Sequence, residues 1–432
     1  MVPKQRVLPK FPCKVEAELD KISSLPGHII DNILSHLPIK DAVRTSVLSR
    51  KWRYRWATVP SLVFDTQCFS VSSQDPVLIK NKLVSIIDHV LLLHNGPLQK
   101  FKLSHRDLLG VADIDKWILF ISRSFIKEFI LEIWKGQRYR PPSSLFNCQN
   151  LIHLELFNCL LKPPDSIKGF RNLKSLDLQH ITITQDVFEN LISSCPLLER
   201  LTLMNFDGFM DLNIDAPNLQ FFDVGGVFRD VSFKNTFSLA LISIGLYVSI
   251  NDVDEQRKAG ENSSKLLRFF ANLPHIRRLE IQSYFLKYLA SGSIPSSLPE
   301  KCLDLNYLSI RINFNDLDET LAVLCLLRSS PNLQELELVA RPEEQPSTGT
   351  FTNFWGDNLW CSLFTNLQVV KVVGISGLRT ELDFINFILS NSPVLERMTV
   401  KPASLDGSWG LVKELLRFRR ASIHAEIIYL DP

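Results

Sequence analysis

Apolar residues recur along this chain in a fixed pattern: one apolar position, two variable, one apolar, one variable, one apolar. It is met as Leu98-x-x-Phe101-x-Leu103, Ile126-x-x-Phe129-x-Leu131, Leu151-x-x-Leu154-x-Leu156, Leu173-x-x-Leu176-x-Leu178 and Leu198-x-x-Leu201-x-Leu203. It continues as Leu219-x-x-Phe222-x-Val224, Ile276-x-x-Leu279-x-Ile281, Leu305-x-x-Leu308-x-Ile310, Leu333-x-x-Leu336-x-Leu338, Leu367-x-x-Val370-x-Val372 and Leu395-x-x-Met398-x-Val400. The alternation at its end is the period of a half-buried strand. From Phe101 to Phe222 consecutive middle residues lie 28, 25, 22, 25 and 21 positions apart. The gap from Phe222 to Leu279 is about two periods, so Leu239-Ala240-Leu241-Ile242 is expected to be a degenerate strand. Helical patterns such as DVFENLISS precede several strands, with Pro196, Pro331 and Pro393 just past the helix ends, where the helix has already stopped.

The N-terminal stretch follows another rule. Ile29, Ile30, Ile33, Leu34 and Leu37 form the apolar stripe of a helix that Pro38 ends. A second helix is expected at about Asp41 to Leu48, and Trp52 and Trp56, four apart, are expected to share one helix face. Another helix is expected from about Val77 to His94. A segment of roughly 40 residues does not bury this much apolar surface alone. The surplus faces the rest of the chain or a partner.

A period of about 20–29 residues, with a strand in each unit and helices between, is that of a leucine-rich repeat, a stacked α/β solenoid. One departure is plain. The Asn or Cys usual three places after the last Leu appears only as Cys159 and Asn313, against Ile181, Phe206, Val227, Tyr284, Arg341 or Ile375 elsewhere. An irregular solenoid with apolar turns is expected. Polar inserts at 251–264 and 341–357 read as loops, and Asp252, Asp254 and Glu255 as a solvated turn lacking the ligands of a calcium site. Residues 1–19 read as a flexible tail and 65–80 as a linker.

Composition narrows the function. The formal net charge of the 432 residues is +2, too near neutral for a nucleic-acid surface. Arg417, Arg419 and Arg420 therefore read as an exposed helix end. No apolar run reaches the roughly 18 residues of a membrane span, and no signal-peptide core follows the start. Eight cysteines without a C-x-x-C pair give no zinc spacing. Reduced thiols and a cytoplasmic and/or nuclear location are expected, with no nucleic acid and no membrane as partner. Twenty-eight Phe against seven Tyr suggests aromatic core filler. No glycine-rich phosphate loop is present. Gly374-Ile375-Ser376-Gly377 is one residue short of a nucleophile elbow. Cys148 with His153 reads as buried packing rather than a thiol–imidazole pair. No catalytic residue, metal or cofactor is expected.

Residues 20–65 resemble an F-box, on Leu25-Pro26, Ile33-Leu34, Leu37-Pro38, Val43, Ser46-Val47-Leu48-Ser49, Trp52 and Trp56. Val59-Pro60-Ser61-Leu62-Val63-Phe64-Asp65 is typical of the plant branch. Residues 359–430 resemble the FBD domain, on FTNLQVVKVVG, ELDFINFILSNSPVLERMTV and ELLRFRRASIHAEIIY. The chain thus resembles plant-type F-box/FBD/leucine-rich-repeat proteins, with the repeats at 77–358. Two departures are Gly27-His28, where the family often has an acidic residue, and Arg55 between the tryptophans, where it often has Leu.

The resemblance implies an α/β chain: a short all-α F-box, an irregular leucine-rich-repeat solenoid and a terminal FBD domain. It implies a non-catalytic adaptor of a ubiquitin ligase, binding a Skp1-like protein and through it a cullin–RING complex. The expected Skp1-binding residues are Leu25, Pro26, Ile30, Ile33, Leu34, Leu37, Pro38, Val47, Leu48 and Trp52, divided between Skp1 and the box's own core. Arg50, Lys51, Arg53 and Arg55 are the expected basic rim. The repeats would hold an unknown protein substrate on their concave side through Phe157, Met204, Phe221, Arg278, Tyr307 and Arg311. The alternative is a leucine-rich-repeat scaffold without ligase function.

Overall fold

The computed structural model describes residues 22, 24–66, 68, 75–105, 112–164, 170–248, 264–341, 364–404 and 408–432. The chain divides into two units, 1–100 and 101–432. The expected tail, the acidic trio, and the inserts apart from Ser264 and Arg341 lie outside the described residues.

The N-terminal unit holds α1 (Gly27–Ser35), α2 (Ile39–Arg44), 3-10 turns at Thr45–Val47 and Arg55–Thr58, β1 (Ser61–Asp65) and α3 (Pro76–Leu93). Pro26 and Pro38 stand just before α1 and α2, their carbonyls accepting the first helical amides, from Ile30 at 3.2 Å and Ala42 at 2.9 Å. Asp75 caps α3 by accepting from the Val77 amide at 2.9 Å, with Pro76 at the first helical position, where its missing N–H costs nothing.

Trp52 and Trp56 do not share a helix. After Arg44 the chain advances in three-residue steps, Trp52 N–H to the Ser49 carbonyl and Arg55 N–H to the Trp52 carbonyl. Both indoles are nevertheless buried, alongside Ile30, Leu34, Ile39, Leu62 and Phe64.

The second unit is built on strands β2 (Lys100–Ser104), β3 (Glu128–Glu132), β4 (His153–Phe157), β5 (Ser175–Gln179), β6 (Arg200–Met204), β7 (Asp211–Asp215), β8 (Phe221–Gly226), β9 (Asp230–Lys234), β10 (Leu241–Leu246) and β11 (Arg278–Ser283). It continues with β12 (Tyr307–Ile312), β13 (Glu335–Ala340), β14 (Val369–Ile375), β15 (Arg397–Pro402) and β16 (Glu426–Tyr429). Helices α4 (Ala112–Ser122), α5 (Gln185–Ser193), α6 (Lys265–Phe270), α7 (Phe285–Ala290), α8 (Leu317–Ser329), α9 (Arg379–Asn391) and α10 (Ser408–Arg417) lie between them. Within this unit the sheet order is β2-β3-β4-β5-β6-β8-β10-β11-β12-β13-β14-β15-β16, parallel from β3 onward.

The middle residues of the sequence pattern stack one on the next. Leu154, Leu176, Leu201, Phe222, Ile242, Leu279, Leu308, Leu336, Val370 and Met398 are successive partners. All are buried, and each fully buried side chain of this kind contributes about 1.5–3 kcal/mol. The degenerate strand expected near 239–242 is β10, in full register with both neighbours.

Two strands between the repeat strands were not expected. β7 and β9 pair in parallel as a separate ladder, in the repeats where Leu201, Phe222 and Ile242 stand only 21 and 20 residues apart. So short a connection carries a strand in place of a helix. Phenylalanines fill the space behind them: Phe206 and Phe209 stack at 4.7 Å and Phe209 and Phe188 at 4.6 Å.

Several of the turns after the strands are closed one place earlier than the usual ladder position. Asn158, His180, Asn205, Ser283 and Gly374 have positive φ, each two residues past the last apolar position of its Leu-x-x-Leu-x-Leu pattern. The amides of Asn158, His180 and Asn205 donate to the carbonyls of Gln179, Met204 and Gly225 in the following strand at 2.9, 2.8 and 2.8 Å. Toward the C-terminus, buried carboxylates hold the turns instead. Glu319 accepts from the Asn313 amide at 2.9 Å and pairs with Arg341. Glu381 accepts from the Ser376 and Leu378 amides at 3.0 and 2.8 Å, which makes Gly374–Gly377 a structural turn.

Candidate functional site

In the N-terminal unit the two faces of α1 part company. Ile30 and Leu34 point inward and are fully buried, while Ile29 and Ile33 are exposed. Val47, 87% exposed, and Leu48 follow on the segment after α2. Pro26 and Pro38 are also exposed, and Leu25 and Leu37 are half-buried. Of the ten candidate partner-binding residues, the structure therefore separates Ile30, Leu34 and Trp52 from the rest. These three fall to the box's own core in the expected division between core and Skp1, because a buried side chain offers no exposed area for contact. Trp52 is held further by its indole N–H, which donates to the Ile22 carbonyl at 3.3 Å. Ile29 is exposed on α1 and absent from the sequence-based set. It shares the apolar stripe with Ile30, and only burial tells the two apart.

The basic residues surround this surface unevenly. Arg50, Lys51 and Arg53 are exposed, and Lys51 donates to the Leu25 carbonyl. Arg55 pairs with Asp31 at 3.0 Å. Its guanidinium lies where a Cβ on Gly27 would stand, 2.6 Å away. The two departures from the family pattern, Gly27 and Arg55, are therefore one arrangement: the glycine makes room for the arginine.

In the repeat unit, the six candidate substrate-facing residues all lie on the sheet face turned away from the apolar rows, and they fall into separate groups. Phe157 packs between Trp134 and His180, ring centroids 4.6 and 4.9 Å apart. Met204 receives the Tyr247 hydroxyl at 3.8 Å. Phe221 lies under the Arg200 guanidinium at 4.1 Å. Arg278 stacks over Tyr307 at 3.6 Å and pairs with Glu280 at 2.9 Å. Tyr307 donates to Glu337 at 2.7 Å, and burial with that carboxylate pushes its phenol up to about 12. Arg311 is exposed.

Between these groups runs a row the sequence reading missed. Glu155, Asp177, Thr202, Asp223, Ser243, Glu280, Ser309 and Glu337 are successive partners at the centre of the face. Burial, with Glu155 and Asp223 adding to it, holds the Asp177 carboxyl above the usual range, and burial with Glu280 does the same for Asp223. The signal was present: this is the variable position between the last two apolar residues of each repeat.

Cys68, Cys148, Cys159, Cys195, Cys302 and Cys325 are free and buried, and burial pushes the Cys148 thiol up to about 12. Among the described residues no group of three or more His, Cys, Asp or Glu side chains is placed to hold a metal, and no helix is long and apolar enough to cross a membrane.

Comparison with known families agrees with this organisation. Residues 22–64 match the F-box domain, 114–338 the LRR repeats of the FBD-associated F-box protein At5g56370, and 362–400 the FBD. The architecture is thus that of an F-box protein whose repeats end in an FBD, a class of generally non-catalytic adaptors. The F-box/FBD/LRR-repeat protein At1g13570 of Arabidopsis thaliana is 42% identical, over 95% of this chain and 99% of its own length. The FBD-associated F-box protein At5g22730 and the putative F-box/FBD/LRR-repeat protein At4g00315, from the same plant, are 26% and 27% identical, over 95% and 88% of this chain and 94% and 92% of their own lengths. The chain belongs to the plant F-box/FBD/LRR-repeat family.

Proposed function

We propose that this protein is the substrate-recognition adaptor of a Skp1–cullin–F-box ubiquitin ligase, working in the cytoplasm and/or nucleus. The F-box of residues 20–65 binds a Skp1-like protein, and the repeats of residues 77–358, followed by the FBD of 359–430, present a protein substrate for ubiquitination and degradation. The observation that carries this reading is the row of outward apolar side chains Ile29, Ile33, Val47 and Leu48 above a closed interior. An apolar centre with a basic rim is the composition of a protein interface. The adaptor's contribution is proximity: holding substrate near the transferring enzyme raises its local concentration, so no nucleophile of its own is required.

Recombinant full-length chain is expected to retain a Skp1-like protein in a pull-down. The double variant Ile33→Asp, Val47→Asp is expected to lose it with an unchanged thermal melt, because both side chains already face water. Full retention by the double variant would falsify the assignment of this surface.

A further inference from the structure

We propose that β16 pairs with β16 of a second copy of this chain, forming a twofold dimer through the last strand of the sheet. Among the described residues β16 ends the sheet order, with β15 as its one neighbour there. The amides of Glu426 and Leu430 donate toward β15, to the carbonyls of Glu396 and Val400, each at 2.9 Å. Backbone alternation then turns the N–H and C=O of Ile427 and Tyr429 outward.

An antiparallel pairing about a twofold axis at Ile428 sets Ile427 against Tyr429 of the second copy. These are the positions that exchange both hydrogen bonds, while the two Ile428 residues form the close, non-bonded pair on the axis. Ile427 to Leu430 carry neither charge nor proline, while the exposed Glu426 begins the strand and Asp431-Pro432 follow it, so the devices that keep an edge strand unpaired stand only at the two ends of this pairing.

Two further features select a second copy as the occupant. The first is the groove behind the edge. Val412, Leu415 and Leu416 of α10 with Ile427 and Tyr429 line a cavity of about 410 Å³, and the enclosed Tyr429 hydroxyl has no hydrogen-bond partner. The axis stands perpendicular to the sheet, so the core-facing side chains of both copies point to the same side and the two grooves join. Leu416, 69% exposed, and Ile423, 93% exposed, lie at the same end, where a solenoid otherwise carries a polar cap. The second feature is charge. The same register carries Asp431 of the second copy to Ala425. There Arg420 donates to the Ala425 carbonyl at 2.9 Å, with His424 adjoining. The twofold axis repeats this match at the other end.

The test is the mass of the purified full-length chain by light scattering across its soluble concentration range. A rise from one copy to two is expected. Ile428→Lys, on the half-buried open face, is expected to abolish the dimer with an unchanged melt, by setting two ammonium groups on the axis. Ile428→Cys is expected to give an oxidant-dependent crosslinked dimer, since the non-bonded pair brings Cα atoms within disulfide range. That readout stands if the lysine variant fails to fold. A one-copy mass at every concentration overturns the proposal. So does a dimer that survives Ile428→Lys with no crosslink in Ile428→Cys, and so does a one-copy chain whose edge is taken by an apolar peptide. None of these readouts depends on Skp1.

Discussion

The two units use the same residue types in opposite ways. In the repeats, the middle apolar residue of each strand from Leu154 to Met398 is covered, because each strand there has a neighbour on both sides. In the N-terminal unit, α1 splits its four isoleucine and leucine residues between an interior and an open surface. The difference teaches that apolarity marks burial only where the architecture supplies the covering layer. A solenoid supplies it by repetition, whereas a unit of this size has too little chain to do so.

The sharpest way to break this contrast is Phe222→Ala. The ring is fully buried at the centre of the stack, and its loss is expected to cost about 3–5 kcal/mol in urea unfolding. The exposed Val47→Asp is expected to change stability by no more than about 0.5 kcal/mol. Equal shifts for the two would dissolve the distinction.

Next comes Arg341→Ala. Arg341 pairs with the fully buried Glu319, donates to the Ser283 carbonyl at 2.8 Å and lies 4.7 Å over the Tyr284 ring. Stranding the carboxylate is expected to cost about 3–5 kcal/mol near neutral pH. Burial holds the Glu319 carboxyl above its ordinary range, with Arg341 opposing it. Removing Arg341 raises it further. A carboxyl raised in the folded state binds more protons there than when unfolded, so stability falls as pH rises through the folded value. The variant's deficit relative to the parent is therefore expected to shrink as pH is lowered toward the acidic range. A deficit that grows on acidification would contradict this account.

The smallest effect concerns the turns. Ser283 holds a φ of 54°, a conformation glycine adopts without strain. Ser283→Gly is expected to raise stability by about 0.5–1 kcal/mol, less any entropy the glycine adds to the unfolded chain. A lower melting temperature would show that the serine side chain, rather than the backbone, holds this turn.

Much of the repeat unit was legible because Leu-x-x-Leu-x-Leu reports both strand period and repeat period at once. β7 and β9 were not, since DLNID and DVSFK alternate for too few residues to stand out between stronger strands. β16 lies in ELLRFRRASIHAEIIY, which reads only as a mark of the FBD, its four strand residues too few for an alternation to show. The turn row was sought at the third position after the last leucine, whereas Asn158, His180 and Asn205 act at the second through backbone conformation. The spacing of Trp52 and Trp56 suggested a helix, but their burial needed only a series of tight turns. On the candidate binding surface, Ile29 and Ile30 are equivalent as letters. The direction of α1 against the indoles decides which meets solvent.

The row of left-handed turns has a consequence for how the chain tolerates insertion. The amides of Asn158, His180 and Asn205 bond to the next strand, and after β10 the Tyr247 amide donates to the Gly226 carbonyl of β8 at 2.9 Å, so alignment is set at the strands and not by the length between them. The span from Phe222 to Ile242 is 20 residues and that from Ile242 to Leu279 is 37, yet both pairs are direct partners in the sheet. Closing the longer connection costs only about 0.5 kcal/mol more in chain entropy. New sequence placed between strands is thus nearly free, while a single residue added within one would turn its apolar side outward.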